Sequence, residues 1–275
     1  MATTKDIPIA LSDKYITQVT TDTGRRRYEI DGVKFPSVTK IIDNTLRNFG
    51  IESWKATWIN DQMEHYRGRK LTETVSSSIV NRSRREADDS AWLGSRMHQI
   101  IEGLLKDEEV DSLITDQLEP AVRAWLKWRQ HFLNWELVGT EVGVYYDSPN
   151  GWDRYAGQVD AVFKNGMEYM VVDWKTTSGI YPDHYMQVSA YAHALQEMYK
   201  HGYGVTKVTA CLVRMDNYYP TIKKNDKDIK DRRQPKIFSG SLDYTEPKVE
   251  QWYELFEKVL YINKSMNNRE HVTVL

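Results

Sequence analysis

The spacing of apolar residues changes character along this chain. Up to about Asn134 they recur mainly at three- and four-residue steps, and after it they alternate or cluster in short blocks. Residues 1–24 read as a polar lead-in. Arg25–Ile30 and Val33–Phe35 flank Asp31-Gly32, a strong two-residue turn signal, and predict a small hairpin. Pro36-Ser37 opens a helix, with Ser37 as N-cap ahead of Val38, Ile41 and Ile42. Trp54 and Trp58 lie four apart and give another helical stripe. A charged stretch at 67–89 precedes two predicted helices, about 90–107 and 114–133.

Val138–Tyr146, Tyr155–Phe163 and Met167–Trp174 have the apolar and β-branched content of strands, with Asn and Gly between them. Pro182 begins a helix that runs to about Lys200, and Val205–Met215 is a further strand. Residues 222–236 predict a charged loop. A closing helix from Pro247 to about Asn263 places Trp252, Leu255 and Val259 on one face. The order is helices, three strands, helix, strand, helix, which specifies an α/β core with a helical N-terminal part. The division is set near residue 134, with a hairpin and helical region over 1–134 and the core over 135–275. No Gly/Ser/Pro-rich linker separates them, so the helices are expected to pack on the core as an insert or arch.

The length, 275 residues, suits one large or two modest domains. No apolar run approaches a membrane span, and Met1–Asp6 has no apolar signal core, so a cytoplasmic protein is expected. The single cysteine, Cys211, excludes an intramolecular disulfide and any four-cysteine cluster made by one chain. A formal charge of −2 argues against broad coating of nucleic acid, yet permits a local basic channel. Arg67, Arg69, Lys70, Arg82, Arg84 and Arg85 are either such a channel or a solvated face.

The chemistry concentrates in Val171-Val172-Asp173-Trp174-Lys175. Side chains alternate along a strand, so Asp173 and Lys175 share a face. Asp160 lies thirteen residues upstream, which suits a neighbouring antiparallel strand joined at Asn165-Gly166. Two acids in apolar surroundings need a cation or an ion pair. His98, four residues before Glu102 on a helix, is a metal or phosphate ligand or a hydrogen-bonded structural histidine. Glu141 is a metal-binding or solvated acid. Gln187 and Tyr191 share a helix face and either hydrogen-bond to a phosphate or attacking water or pack in the core.

Taken in order, Gly94-x-x-x-His98, Glu141, Gly157-x-x-Asp160, Asp173-x-Lys175 and Gln187-x-x-x-Tyr191 resemble the PD-(D/E)xK nuclease superfamily. The likeness is to its RecB-like exonuclease branch, near the mitochondrial genome-maintenance exonucleases and phage relatives. It runs from about Pro36-Ser37-Val38-Thr39 to Arg214. Val159 stands where the superfamily name has proline.

That resemblance implies a restriction-endonuclease-like core, a mixed β-sheet flanked by helices. It implies Mg²⁺ or Mn²⁺ held by His98, Asp160, Asp173 and the backbone carbonyl of Trp174. Lys175 would orient the nucleophilic water, Gln187 and Tyr191 would complete the site, and Glu141 matches the acid on the first core strand. The cysteine quartet of iron–sulfur relatives is missing, so no cluster is expected. The expected substrate is DNA, cut from an end and single-stranded by preference, in replication, recombination or phage DNA processing, with any protein partners unspecified. The basic stretch would thread a strand by its phosphates, and Trp54, Trp58 or Trp92 would stack bases or pack in the core. A structure-selective endonuclease with the same site, or a non-catalytic DNA-binding protein, are the alternatives.

Overall fold

The computed structural model describes residues 2–22, 26–46, 72–200, 205–224, 227–230 and 236–267, with short pieces between 56 and 70. Arg25, Trp54 and Arg69 lie outside the described residues. Strands β1 (Thr3–Pro8), β2 (Tyr15–Thr20), β3 (Arg26–Ile30) and β4 (Val33–Pro36) form an antiparallel sheet in that order. The first two replace the expected polar lead-in. Their apolar set is thin: Ile7, Ile16 and Val19 are buried together with the polar Gln18, while most of β1 is exposed. The β3–β4 hairpin turns at Asp31 and Gly32, whose φ values of 48° and 78° are those a two-residue hairpin turn needs. Helix α1 (Val38–Thr45) follows. Ser37 holds the N-cap position, but its hydroxyl hydrogen-bonds Thr39 Oγ1 at 2.8 Å instead of a backbone N–H.

Helix α2 (Glu73–Leu105) runs unbroken for 33 residues and absorbs much of the stretch read as merely charged. Ile79, Glu86, Leu93 and Ile100 are buried at seven-residue steps. Glu86 interrupts the apolar stripe, which hides the first half of the helix in the sequence. Trp58 is buried, so it is a core residue and not a stacking platform. Helix α3 (Glu119–Gln130) falls within the expected span.

Strands β5 (Glu136–Asp147), β6 (Arg154–Asn165) and β7 (Glu168–Lys175) form an antiparallel meander. Gly166, with φ of 61°, makes the β6–β7 turn. Helix α4 (Pro182–Tyr199) then crosses over to β8 (Lys207–Tyr218), which lies parallel to β7. The predicted charged loop instead contains a short hairpin, β9 (Thr221–Lys224) with β10 (Lys227–Lys230). A fifth core strand, β11 (Ile237–Thr245), pairs antiparallel with β8. It has one fully buried residue, Phe238, because it is an edge strand, and so gives little apolar signal. Helix α5 (Val249–Asn267) closes the fold.

The central sheet has the order β11-β8-β7-β6-β5. On one face pack the N-terminal sheet, α1, α4 and α5, through Ile7, Tyr28, Ile41, Met186, Leu195 and Phe256. On the other pack α2 and α3, with Met97, Ile100, Trp125 and Trp128 against Phe163, Val172 and Trp174. Backbone bridges from Ile9 to Gly143 and from Ser37 to Ala156 tie the N-terminal part to β5 and β6. This is a mixed sheet flanked by helices, as a restriction-endonuclease-like core requires. No helix among the described residues is long and apolar enough to cross a membrane.

Candidate active site

The strand register lines up three acids. Thr140 and Val142 pair with Ala161 and Val159, so Glu141 faces Asp160 across β5 and β6. The β6–β7 ladder ends at Ala161–Val172, and the next position sets Asp160 beside Asp173. There β6 leaves β7, and the freed N–H of Trp174 donates instead to Asp160 Oδ2 at 2.7 Å. The carboxylate thus stands in for a ladder carbonyl, and its second oxygen faces out of the sheet.

Helix α2 brings His98 to this point from the opposite layer. Gly94 allows the approach, since a Cβ there would sit 3.0 Å from Thr176 Oγ1. His98 Nδ1 lies 3.5 Å from Asp160 Oδ1, and Nε2 lies 3.1 Å from the Trp174 carbonyl oxygen. Ligand atoms of His98, Glu141 and Asp160 all lie within 4.8 Å of one another. Asp173 and Lys175 do share a face. Asp173 turns toward α4, where Oδ2 lies 2.7 Å from Lys175 Nζ and Oδ1 accepts from Gln187 Nε2 at 3.3 Å. Lys175 Nζ also donates to Gln187 Oε1 at 3.1 Å, and Gln187 Nε2 donates to the Tyr191 hydroxyl at 3.2 Å. Tyr191 is buried, and its ring leaves no room for a side chain at residue 157: a Cβ on Gly157 would come 2.2 Å from Tyr191 Cε1.

The candidate catalytic and metal-binding residues therefore gather where the β6–β7 ladder ends. They divide into two groups: His98, Glu141, Asp160 and the Trp174 carbonyl on one side, Asp173, Lys175, Gln187 and Tyr191 on the other. Glu102 instead pairs with Lys106 at 2.5 Å, one turn on. Two polar neighbours carry no motif signal. Gln158 shares its face of β6 with Asp160 by alternation alone, and donates to the Glu141 carbonyl at 3.2 Å. His184 lies one turn before Gln187, and burial, helped by Lys175, pushes its imidazole down to about 4.

The electrostatics follow from this crowding. Burial pulls the His98 imidazole down, but Asp160 beside it outweighs that and holds it up at about 9. Burial, reinforced by Asp160, raises Glu141 to about 7. Burial raises Asp173 to about 6 against the pull of Lys175. Burial acts to raise Asp160 as well, yet His98 and the Trp174 N–H leave it below the usual carboxylate range. Lys175 is disfavoured by burial but raised overall by Asp173 and Asp160.

One imidazole, two carboxylates and a backbone carbonyl form a donor set for a hard divalent cation, with no thiolate in it. A ligating His98 or Glu141 must give up its proton. Magnesium affinity is therefore expected to rise between about pH 6 and about pH 9, by up to about tenfold per pH unit for each proton displaced. Calorimetry in buffers of different ionisation enthalpy reads those protons directly. An affinity flat across that range would remove both groups from the site.

The family model for the PD-(D/E)XK nuclease superfamily matches residues 63–271, more than half of the chain. The matched segment holds every residue of the site just described. No curated protein matches the chain. A solved structure, that of SSO0001, is 15% identical over 76% of this chain and 86% of that chain, with a TM-score of 0.27, too low to carry an argument. Five strands in a mixed sheet, acids aligned across β5, β6 and β7, and the span of the family match lead to one assignment: the chain belongs to the PD-(D/E)XK nuclease superfamily.

Proposed function

We propose that this chain is a RecB-like member of the superfamily that hydrolyses phosphodiester bonds in DNA from an end, with a preference for single strands. The observation that carries this reading is the meeting of Glu141, Asp160 and His98 with the Asp173–Lys175 pair at the end of the β6–β7 ladder. His98, Glu141, Asp160 and the Trp174 carbonyl would hold Mg²⁺ or Mn²⁺, with Asp173 at the boundary between the two groups. A cation bound there supplies neutralising charge for the phosphate and acidifies a coordinated water.

The protein's own groups do the rest. Lys175, kept charged by Asp173 and Asp160, sets positive charge where the attacking water and the phosphate oxygens gather. Gln187 accepts from Lys175 and donates to Asp173 and Tyr191, which fixes the ammonium in place. The deep burial of the Tyr191 phenol, which raises its pKa well above the ordinary value, keeps it neutral and available as a donor.

Substrate handling rests on α2. Arg82, Arg84 and Arg85 precede His98 on one continuous helix, and Arg82 is sixteen residues, about 24 Å, away. Between them Trp92 is 48% exposed, with the Arg96 guanidinium 5.4 Å from its ring centre. Arg85, Trp92 and Arg96 follow one ridge of the helix at seven- and four-residue steps, and an exposed indole flanked by arginines suits the stacking of unpaired bases. Asp88 and Asp89 interrupt the ridge, so its pull on phosphate is local.

The test is digestion of linear and covalently circular single-stranded DNA with magnesium. The linear strand is expected to disappear from an end while the circle survives. Equal cutting of the circle would replace the exonuclease reading with an endonuclease.

A further inference from the structure

Glu141 has φ of 52°, the left-handed region, where a residue bearing a Cβ is strained. The ladder pairs normally on both sides of it, at Thr140–Ala161 and Val142–Val159. The left-handed turn of the backbone thus falls on the one residue whose carboxylate meets His98 and Asp160, separate from the bulge nearer the start of β5 at Leu137–Gly139. Strain of this kind persists only where the surroundings hold it.

The hold is visible. Gln158 Nε2 donates to the Glu141 carbonyl oxygen at 3.2 Å, across the strand pair. Gln158 Oε1 in turn lies 3.5 Å from Gln18 Nε2, a long contact. Gln18, on β2, is buried and donates to the Tyr28 hydroxyl at 3.3 Å on β3. The chain of amides therefore runs from the N-terminal sheet to the Glu141 backbone. That sheet lies outside the segment matched by the family model.

We infer that Gln158 is a positioning residue of the metal centre: braced by Gln18, it fixes the left-handed backbone of Glu141 and so keeps that carboxylate beside His98 and Asp160. The N-terminal sheet then serves as a brace for the site. This inference rests on the reading above that Glu141, His98 and Asp160 hold a divalent cation.

The test is manganese calorimetry on the full chain, with wild type, Gln158→Met, Glu141→Gln and the double variant compared. Methionine keeps the length and volume of glutamine but cannot donate. Gln158→Met is expected to weaken manganese binding about tenfold, as loss of a ligand-orienting partner does, and to add nothing in the Glu141→Gln background. Gln158→Asn, too short to reach, is expected to repeat the loss and serves if the methionine variant fails to fold. Wild-type affinity in a folded Gln158 variant would overturn the inference. So would an equal loss with and without the Glu141 carboxylate, which would mark a general structural effect. If the wild-type chain itself takes up no manganese, the metal-site reading falls and this inference with it.

Discussion

Replacing Lys175 by alanine is expected to lower DNA cleavage by at least about 10²–10³-fold, the size of effect seen when a preorganised charge is removed from a hydrolytic site. The structure adds a cost in stability. Lys175 and Asp173 are a buried pair, with side chains 17% and 4% exposed, so the truncation strands a carboxylate in the sheet. Breaking such a pair costs about 3–5 kcal/mol when the partner stays charged. Asp173 can escape part of that by holding a proton, since burial already raises it to about 6 with Lys175 present. An acid whose folded pKa lies above its unfolded value favours folding most below the unfolded pKa, and loses that advantage as pH rises through the folded one. The variant's melting temperature should accordingly fall as pH rises from about 4 through the folded pKa of Asp173, which lies above about 6 once Lys175 is gone, and level off beyond it. Cleavage per folded molecule, measured well below the melting point, separates the two effects. Wild-type turnover by the folded variant would take Lys175 out of the mechanism.

Asp160→Asn is expected to act differently. The amide oxygen of asparagine can still accept from the Trp174 N–H, so the strand junction at the end of the β6–β7 ladder survives. The charge does not survive. Asp160 is the group that raises His98 against burial, and one of its oxygens lies within 4.8 Å of ligand atoms of both His98 and Glu141. Manganese binding should weaken by about 10²-fold or more, the upper range for disturbing even an outer partner of a metal site. Cleavage should fall with it. An unchanged calorimetric titration would displace Asp160 from the centre.

The strand motifs were the most legible part of the chain, because their chemistry sits on elements with a clear two-residue period. Asp173 and Lys175 share a face by alternation alone, and the turn at Gly166 fixes which residues of β6 meet β7. The helix–sheet contacts were less so. Nothing in the sequence states that α2 reaches the sheet at Thr176, or that Glu141 sits in a left-handed backbone; both depend on packing between layers. Residues 1–20 read as a polar lead-in because β1 buries only Ile7 and β2 carries the polar Thr17, Gln18 and Thr20, so neither strand shows a clear apolar alternation. The start of α2 is hidden in the sequence because Glu86 occupies a buried position in its stripe. Strand β11 gives little signal because an edge strand needs few apolar residues. Gln158 and Gln18 are ordinary glutamines in the sequence, and their connection exists only once two sheets are brought together.

The end of the β6–β7 ladder is proposed as a hydrolytic centre that works with a divalent cation. The most direct test is digestion of end-labelled DNA by the wild-type chain and by folded Lys175→Ala, each with magnesium and with chelator. Cleavage is expected only from the wild-type chain with magnesium. Cleavage that persists in chelator, or that the variant performs at the wild-type rate, would contradict the account.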